Sequence, residues 1–172
     1  MPLVIIGPPA AGKSRVGKRL ARRLDLPFID TDTAVVTEHG AIADIFAEHG
    51  EPHFRALERA AVEHALQRNA VVSVGGGAVL DPHTQRDLAE STVILLTVRA
   101  DAVTARIGSG KRPLVSDIHS WQRLVEARSE LYASLANYTT DTSHRPVDAI
   151  VDEIVHWVRQ HDLQQRSDQE QS

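Results

Sequence analysis

Short apolar runs and segments with helical periodicity alternate along the chain. Four continuous runs rich in Val, Ile and Leu predict buried β-strands at residues 3–6, 26–29, 70–74 and 92–98, and a weaker run at 138–141 is a candidate fifth strand. Apolar residues at helical spacing predict helices at 16–24, 42–50, 52–68, 82–90, 121–131 and 150–158. This order predicts an α/β fold, in which helices cover both faces of a parallel sheet.

The expected organisation is a single domain at residues 1–160, followed by a polar tail at 161–172 that is expected to be disordered. A polar, glycine-containing stretch at 108–120 predicts a mobile loop. In parallel sheets, ligands bind beyond the carboxyl ends of the strands. Three of the four clear strands end in polar or glycine-rich loops, at Gly7, Asp30 and Gly75. These three loops are therefore expected to meet in one crevice.

The loop after the first strand carries the most specific motif. It reads Gly7-Pro8-Pro9-Ala10-Ala11-Gly12-Lys13-Ser14 and matches G-x-x-x-x-G-K-[ST], the phosphate loop of nucleotide-binding proteins. In that pattern the lysine reaches the β- and γ-phosphates and the serine binds Mg²⁺. Proline has no N–H group, so the phosphate donors are expected from residues 10–15. The alternative is a Gly/Pro turn that fits the pattern by chance, but the flanking strand and helix favour the phosphate loop.

Two aspartates follow the second predicted strand. If the backbone stays extended there, Asp30 and Asp32 point to opposite sides, one towards a metal and its waters and the other towards an acceptor hydroxyl. In the alternative, Asp32 or Thr31 caps the next helix.

The third strand runs into Gly75-Gly76-Gly77, which suits a ligand lying against the backbone, although a sharp turn is the simpler interpretation.

Three arginines have two interpretations each. Arg55 and Glu58 share a helix face, so they form either a solvated ion pair or a clamp in which the glutamate orients the arginine towards a substrate carboxylate. Arg128 is undecided in the same way. Arg112 lies in the predicted mobile loop, where it is either an arginine that reaches the phosphates on closure or an ordinary loop charge.

Composition limits the partners. The chain is 42% hydrophobic and 24% charged, as in soluble globular proteins, and no apolar run approaches the length of a membrane span. The formal charge of −4 argues against non-specific nucleic-acid binding. There is no cysteine, which fits the cytoplasm, and the nine histidines show no paired metal-ligand spacing and are expected at the surface or at helix ends. We therefore expect a soluble, cytoplasmic protein that binds neither nucleic acid nor membranes. We also expect it to be a monomer.

Together, these motifs resemble those of the shikimate kinases, which are small P-loop kinases of the nucleoside-monophosphate-kinase type. The matching segments occur in the family's order and spacing at residues 7–14, 30–32, 42–46, 50–51, 54–55, 58, 75–79, 112–114, 128 and 131–132. The resemblance implies a three-layer α/β/α fold with a five-stranded parallel sheet and a mobile lid at about 108–120. It also implies transfer of the γ-phosphate of ATP, with Mg²⁺, to the 3-hydroxyl of shikimate. The products would be shikimate 3-phosphate and ADP, in aromatic amino-acid biosynthesis.

The resemblance further implies a role for each matching residue. The nucleotide would be bound by Ala10, Ala11, Gly12, Lys13, Ser14, Arg15, Arg112 and Arg145, with Arg106 near the adenine. Mg²⁺ would be held by Ser14 and, through water, by Asp30. Shikimate would be bound by Asp32, Arg55, Gly75, Gly76, Gly77 and Arg128, with Glu58 steadying Arg55. The catalytic residues would be Lys13, Asp32 and Arg112.

The chain departs from the family pattern at two places. Arg15 stands where the family usually has Thr, which removes a hydroxyl near the phosphates and adds a charge. The segment around Gly108 is also slightly shorter than the pattern. The alternatives are another small-molecule kinase, such as a gluconate kinase, and a nucleotide-sensing module without transfer chemistry.

Overall fold

The computed structural model describes residues 1–107 and 117–170, and over these residues the chain forms five strands, eight α-helices and one short 3-10 helix. The strands are β1 (Leu3–Ile6), β2 (Phe28–Asp30), β3 (Val71–Ser73), β4 (Thr92–Thr97) and β5 (Tyr138–Asp141). The helices are α1 (Lys13–Leu24), α2 (Thr31–His39), α3 (Ile42–His49), α4 (Glu51–Leu66), α5 (Pro82–Leu88), α6 (Ala100–Ile107), α7 (Ile118–Leu135) and α8 (Val147–Glu170), and the 3-10 helix is Ala78–Leu80.

The strands form one parallel sheet in the order β2-β3-β1-β4-β5, which confirms the predicted α/β fold and the fifth strand. The central strand, β1, is buried along its whole length. Because side chains alternate across a strand, Leu3 and Ile5 enter one core cluster, while Val4 and Ile6 enter another. This alternation explains why the sequence of β1 is continuously apolar.

The two clusters are the two interfaces of a three-layer structure. Helices α1, α6 and α8 pack on one face of the sheet, and α4 and α5 pack on the other. Helix α7 contributes Trp121 to the first cluster and Tyr132 to the second, so it passes from one face of the sheet to the other. A third cluster of Val35, Ile45 and Phe54 joins α2, α3 and α4 to one another. No helix of the described residues is long and apolar enough to span a bilayer.

Several boundaries differ from the sequence prediction. The backbone does not stay extended through the two aspartates, because α2 begins at Thr31 and Asp30 is its N-cap, accepting a hydrogen bond from the Thr33 N–H at 3.1 Å. Helices α2 and α6 and the 3-10 helix were not predicted. Helix α7 begins at Ile118, inside the predicted loop 108–120, because Asp117 caps it through the Ser120 N–H at 2.7 Å.

Helix α8 continues to Glu170, through most of the segment expected to be a disordered tail. Its residues 163–170 include three glutamines, one arginine and one glutamate, which favour helix, beside one serine and one aspartate, which favour it less. The boundary of the domain at residue 160 remains a prediction.

Candidate active site

The phosphate loop, residues 7–14, leads from the carboxyl end of β1 into the first turn of α1, as the motif predicts. Ala10 and Gly12 have φ angles of 67° and 87°, so the loop takes the left-handed conformation twice. The Lys13 ammonium donates to the carbonyls of Gly7 and Pro8 at 2.9 and 3.0 Å and therefore lies along the loop. The first turn of a helix leaves N–H groups without intrahelical acceptors, which makes this place suitable for a phosphate.

Ser14 and Asp30 lie side by side at the start of α1 and the end of β2. The Ser14 hydroxyl donates to Asp30 Oδ2, while Asp30 Oδ1 caps α2. Hydroxyl and carboxylate oxygens suit Mg²⁺, which usually keeps several waters and takes few protein ligands. Among the described residues, no group of three or more His, Cys, Asp or Glu side chains is arranged to hold a metal by itself. The pair therefore fits a magnesium ion that is shared with a bound nucleotide.

Asp32, Glu58 and Gly75 meet where the chain leaves β3. A Cβ atom placed on Gly75 would lie 2.6 Å from Glu58 Oε1 and 2.7 Å from Asp32 Oδ1, so a residue without a side chain is needed there. Glu58 is only 4% exposed. Burial raises the pKa of its carboxyl, the contact with Arg55 opposes this rise, and the negative charge of Asp32 adds to it. Asp32 and Glu58 thus form a close carboxylate pair beside the glycine loop.

Arg55 is held in place by its own helix. Its Nη1 donates to Glu58 Oε2 at 2.6 Å, its Nη2 donates to Glu51 at 3.3 Å, and its guanidinium lies 5.3 Å from the centre of the Phe54 ring. Burial lowers the pKa of Arg55, but the bonds and charges of Glu58 and Glu51 outweigh burial and raise it. The guanidinium also fills the space that a side chain on Gly77 would need. Because Glu58 is buried, this is not the solvated surface pair of the alternative interpretation.

Gly76 connects the glycine loop to the phosphate loop and to α7. Its carbonyl accepts hydrogen bonds from Arg128 Nη1 at 3.1 Å and from the Tyr132 hydroxyl at 2.6 Å. Tyr132 is 2% exposed, and burial raises the pKa of its hydroxyl. A Cβ atom on Gly76 would lie 3.2 Å from Pro9 Cδ and 3.4 Å from the Gly7 carbonyl oxygen. The loops after β1 and β3 are therefore neighbours, and Arg128 reaches the point where they meet.

Two more predicted residues contact the segment at the end of β5. Arg106 donates to the carbonyls of Ala10 at 2.6 Å and Thr142 at 2.7 Å, so it links the loop to the segment after β5. Arg145 follows β5, donates to the Asp141 carbonyl at 2.9 Å and pairs with Glu153. Its position beside the nucleotide remains a prediction.

Arg15 is exposed on the first turn of α1, directly after Ser14. Arg112 and residues 108–116 of the predicted mobile loop lie outside the described residues, so the prediction of a lid arginine is not tested.

The structure thus brings most of the predicted residues into one region. Lys13, Ser14 and Asp30 lie at the phosphate loop, and Asp32, Arg55 and Arg128 surround Gly75–Gly77 next to it. Trp121, Tyr132 and Thr142 contact the site loops but were not predicted to do so. The only sequence signal was the spacing of Trp121, Arg128 and Tyr132, seven and four residues apart, which places them on one face of a helix.

Comparisons with known proteins agree on one family. The family model described as "Shikimate kinase" matches residues 9–159. A shikimate kinase from Saccharopolyspora erythraea is 43% identical over 158 residues, covering 88% of this chain and 90% of the relative. A shikimate kinase from Streptomyces avermitilis is 39% identical over 158 residues, covering 89% of this chain and 92% of the relative.

Solved structures give the same result. A shikimate kinase from Acinetobacter baumannii in complex with shikimate has a TM-score of 0.87 and 28% identity, and the match covers 94% of each chain. A gluconokinase from Sinorhizobium meliloti also matches, with a TM-score of 0.69, 19% identity and 96% of each chain covered. At that identity, the second match shows a shared fold only.

Proposed function

This chain belongs to the shikimate kinase family, and from that premise we propose that its crevice transfers the γ-phosphate of ATP to the 3-hydroxyl of shikimate. The products are shikimate 3-phosphate and ADP, and the reaction is a step in the synthesis of aromatic amino acids. One structural observation on this chain supports the proposal most directly. The phosphate loop adjoins a glycine loop that is surrounded by an aspartate and two arginines, which provides a donor site and an acidic-substrate site side by side.

On the donor side, the phosphate loop binds ATP, the phosphate donor of shikimate kinases together with Mg²⁺. Lys13 moves from the loop carbonyls to the phosphates, and residues 10–15 supply backbone N–H groups. Ser14 and, through water, Asp30 would hold the Mg²⁺ ion, which would supply positive charge to offset that of the transferred phosphate. Arg112 and Arg145 add positive charge to the nucleotide site, and Arg106 fixes the loop beside the adenine.

On the acceptor side, the carboxylate and the acceptor hydroxyl of the substrate each have protein partners. Arg55 and Arg128 bind the carboxylate of shikimate through their planar guanidinium groups, and Glu58 keeps Arg55 oriented. Asp32 accepts a hydrogen bond from the acceptor hydroxyl and orients its oxygen for attack on the phosphate. Gly75 and Gly77, which have no side chains, let Asp32, Glu58 and Arg55 lie close against the backbone beside the substrate.

Three properties of the whole protein are part of the proposal. We infer a monomer that works in the cytoplasm, where ATP is available, and that does not bind nucleic acid. A net charge of −4 supports the last point, because nucleic-acid binding needs a broad basic surface. Sedimentation of the purified protein at several concentrations would test the monomer.

A coupled ADP-release assay tests the reaction itself. We expect turnover with ATP, Mg²⁺ and shikimate, and none with gluconate or a nucleoside monophosphate in place of shikimate. Turnover with gluconate alone would identify the rival kinase. ADP binding without any turnover would indicate a nucleotide-sensing module.

Variants of the two clamp arginines test the substrate site. Each of Arg55→Ala and Arg128→Ala removes a charge-assisted contact worth about 1.5–3 kcal/mol, so the KM for shikimate should rise by roughly 10- to 150-fold while the KM for ATP changes little. Arg22→Ala, which removes an exposed arginine from the far end of α1, is the control. A normal shikimate KM in either clamp variant would exclude that residue from the carboxylate site.

A further inference from the structure

The phosphate loop contains a strained residue. Ala10 has a φ angle of 67°, in the left-handed region that residues with a Cβ atom rarely adopt. A glycine would take this conformation without strain. Such outliers persist only where the surrounding structure holds them in place, and they cluster at functional sites. The conformation of Ala10 therefore depends on the contacts of the surrounding loop.

Three consecutive carbonyl groups of the loop each accept a hydrogen bond from a distant side chain. The Pro9 carbonyl accepts from the Trp121 indole at 2.8 Å, the Ala10 carbonyl accepts from Arg106 at 2.6 Å, and the Ala11 carbonyl accepts from the Thr142 hydroxyl at 2.9 Å. The three donors come from α7, α6 and the segment after β5.

These contacts determine the orientation of the backbone C=O and N–H groups of the loop. Each peptide carries its N–H opposite its C=O, so the bound carbonyls of Pro9 and Ala11 direct the N–H groups of Ala10 and Gly12 to the other side. The Ala11 N–H, opposite the Ala10 carbonyl, donates within the loop to the Pro8 carbonyl at 3.3 Å. A carbonyl oxygen turned towards a phosphate would repel it, whereas N–H groups attract it. The three contacts therefore hold the strained loop in the form that binds an anion.

Trp121 is the most specific of the three donors. Its side chain has a single hydrogen-bond donor, the indole N–H, and the residue is 3% exposed. It shares a face of α7 with Arg128 and Tyr132, both of which hold the Gly76 carbonyl. One helix thus fixes the phosphate loop and the glycine loop relative to each other.

We propose that Trp121 is a positioning residue for nucleotide binding, which acts by holding the left-handed conformation of the phosphate loop at Ala10. The contacts of Arg106 and Thr142 act in the same way. The proposal rests on the proposed function only in that the loop binds a nucleotide, and it is independent of the acceptor. When a fraction of the molecules loses the competent loop, the apparent affinity falls by that fraction.

The first variant is Trp121→Phe, which keeps an aromatic ring and removes the N–H. Loss of one hydrogen bond predicts a dissociation constant for ADP, and a KM for ATP, that are about 5- to 10-fold higher, with the KM for shikimate and the kcat at saturation unchanged. Trp157→Phe is the control, because Trp157 stacks on Tyr138, away from the phosphate loop. ADP binding is measured by calorimetry without shikimate.

The decisive measurement is rescue by Ala10→Gly. Glycine removes the strain, so Trp121→Phe should weaken ADP binding much less in a protein that also carries Ala10→Gly than in one that keeps Ala10. The comparison in the glycine background is between Ala10→Gly and the double variant Ala10→Gly/Trp121→Phe. Both proteins lack the alanine methyl, so any effect of its loss cancels. An equal loss in both backgrounds, or normal ADP binding by Trp121→Phe, overturns the proposal.

A second variant keeps the test available if Trp121→Phe does not fold. Thr142→Val removes the donor to the Ala11 carbonyl with little change of shape, and it should show the same loss of ADP affinity and the same rescue by Ala10→Gly. A loss that is not rescued would again contradict the proposal. Failure of the wild-type protein to bind ADP would instead contradict the proposed function.

Discussion

Gly75→Ala is expected to damage the acceptor site selectively. The backbone of Gly75 is not in the left-handed region, so alanine brings no conformational strain there. The effect comes from space alone, because the new Cβ atom would lie 2.6 Å from Glu58 Oε1 and 2.7 Å from Asp32 Oδ1. To restore an ordinary contact of 3.4 Å, these two oxygens must retreat by about 0.8 and 0.7 Å.

Both movements displace groups that bind the substrate in the proposed mechanism. Asp32 orients the acceptor hydroxyl directly, and Glu58 orients Arg55, which donates to it at 2.6 Å. A misplacement of about 1 Å can lower a rate by roughly 100-fold, so we expect kcat/KM for shikimate to fall by about 10- to 100-fold. Overpacking costs about 1–3 kcal/mol of folding stability, which corresponds to a decrease in Tm of roughly 2–12 °C for a chain of this size.

The assay varies shikimate and ATP separately and measures ADP binding by calorimetry. ADP affinity should be unchanged, because the phosphate loop does not contact the new methyl group. Gly40→Ala is the control for lost stability. Gly40 has φ and ψ angles of 90° and −173°, a region that is almost exclusive to glycine, and open space around its Cβ position, so alanine there costs about 1–3 kcal/mol through the backbone alone. If Gly75→Ala and Gly40→Ala had the same shikimate kinetics, the placement of Asp32 and Glu58 in the acceptor site would be refuted.

Two further predictions concern single charges. Because burial raises the pKa of Glu58 above its ordinary 4.5, the stability that this carboxyl contributes is complete below that value and is lost as pH rises through the raised pKa. The Tm of Glu58→Gln should therefore increase relative to that of the wild type as the pH rises from 4 to 7. Its KM for shikimate should rise about 10-fold, because Arg55 loses a charged partner. A Tm difference that does not depend on pH would contradict the first expectation. Arg15→Thr should weaken ADP binding about fivefold at low salt, with a smaller difference at high salt, whereas Arg22→Thr should not; equal effects of the two would exclude a local role for Arg15.

The sheet and the phosphate loop could be predicted from sequence because their signals are local. A buried parallel strand must be apolar on both faces, so β1, β3 and β4 stand out as continuous runs. The phosphate loop has a fixed motif between a strand and a helix. The predicted bounds of the weak strand β5, 138–141, agree with the structure. Because this segment is polar, its assignment as a strand depended on the resemblance to a family with a five-stranded sheet.

The errors arose where two local preferences compete. Asp30 is both the last residue of β2 and the N-cap of α2. Because the backbone becomes helical directly after this cap, Asp32 lies in the first turn of α2 rather than in an extended segment. The disordered tail at 161–172 stays a prediction, although α8 extends to Glu170. The contact of Trp121 with Pro9 joins residues 112 positions apart and has no local signal.

The distribution of paired and unpaired arginines explains how a chain with a net charge of −4 can favour an anionic nucleotide at one end of α1. Arg15, Arg19 and Arg23 recur every fourth residue and share one face of that helix. Arg19 pairs with Asp148 at 2.5 Å, and Arg23 pairs with Asp152, one turn further along both helices.

The start of α1 lies beside the segment between β5 and α8, because the Ala11 carbonyl accepts from the Thr142 hydroxyl at 2.9 Å. Among the described residues, Arg15 has no ion-pair partner. Arg19 and Arg23 are therefore neutralised across the α1–α8 interface, whereas the charge of Arg15, next to the phosphates, is not offset by an ion pair among the described residues. This local imbalance, rather than the net charge, determines the potential that an approaching nucleotide meets.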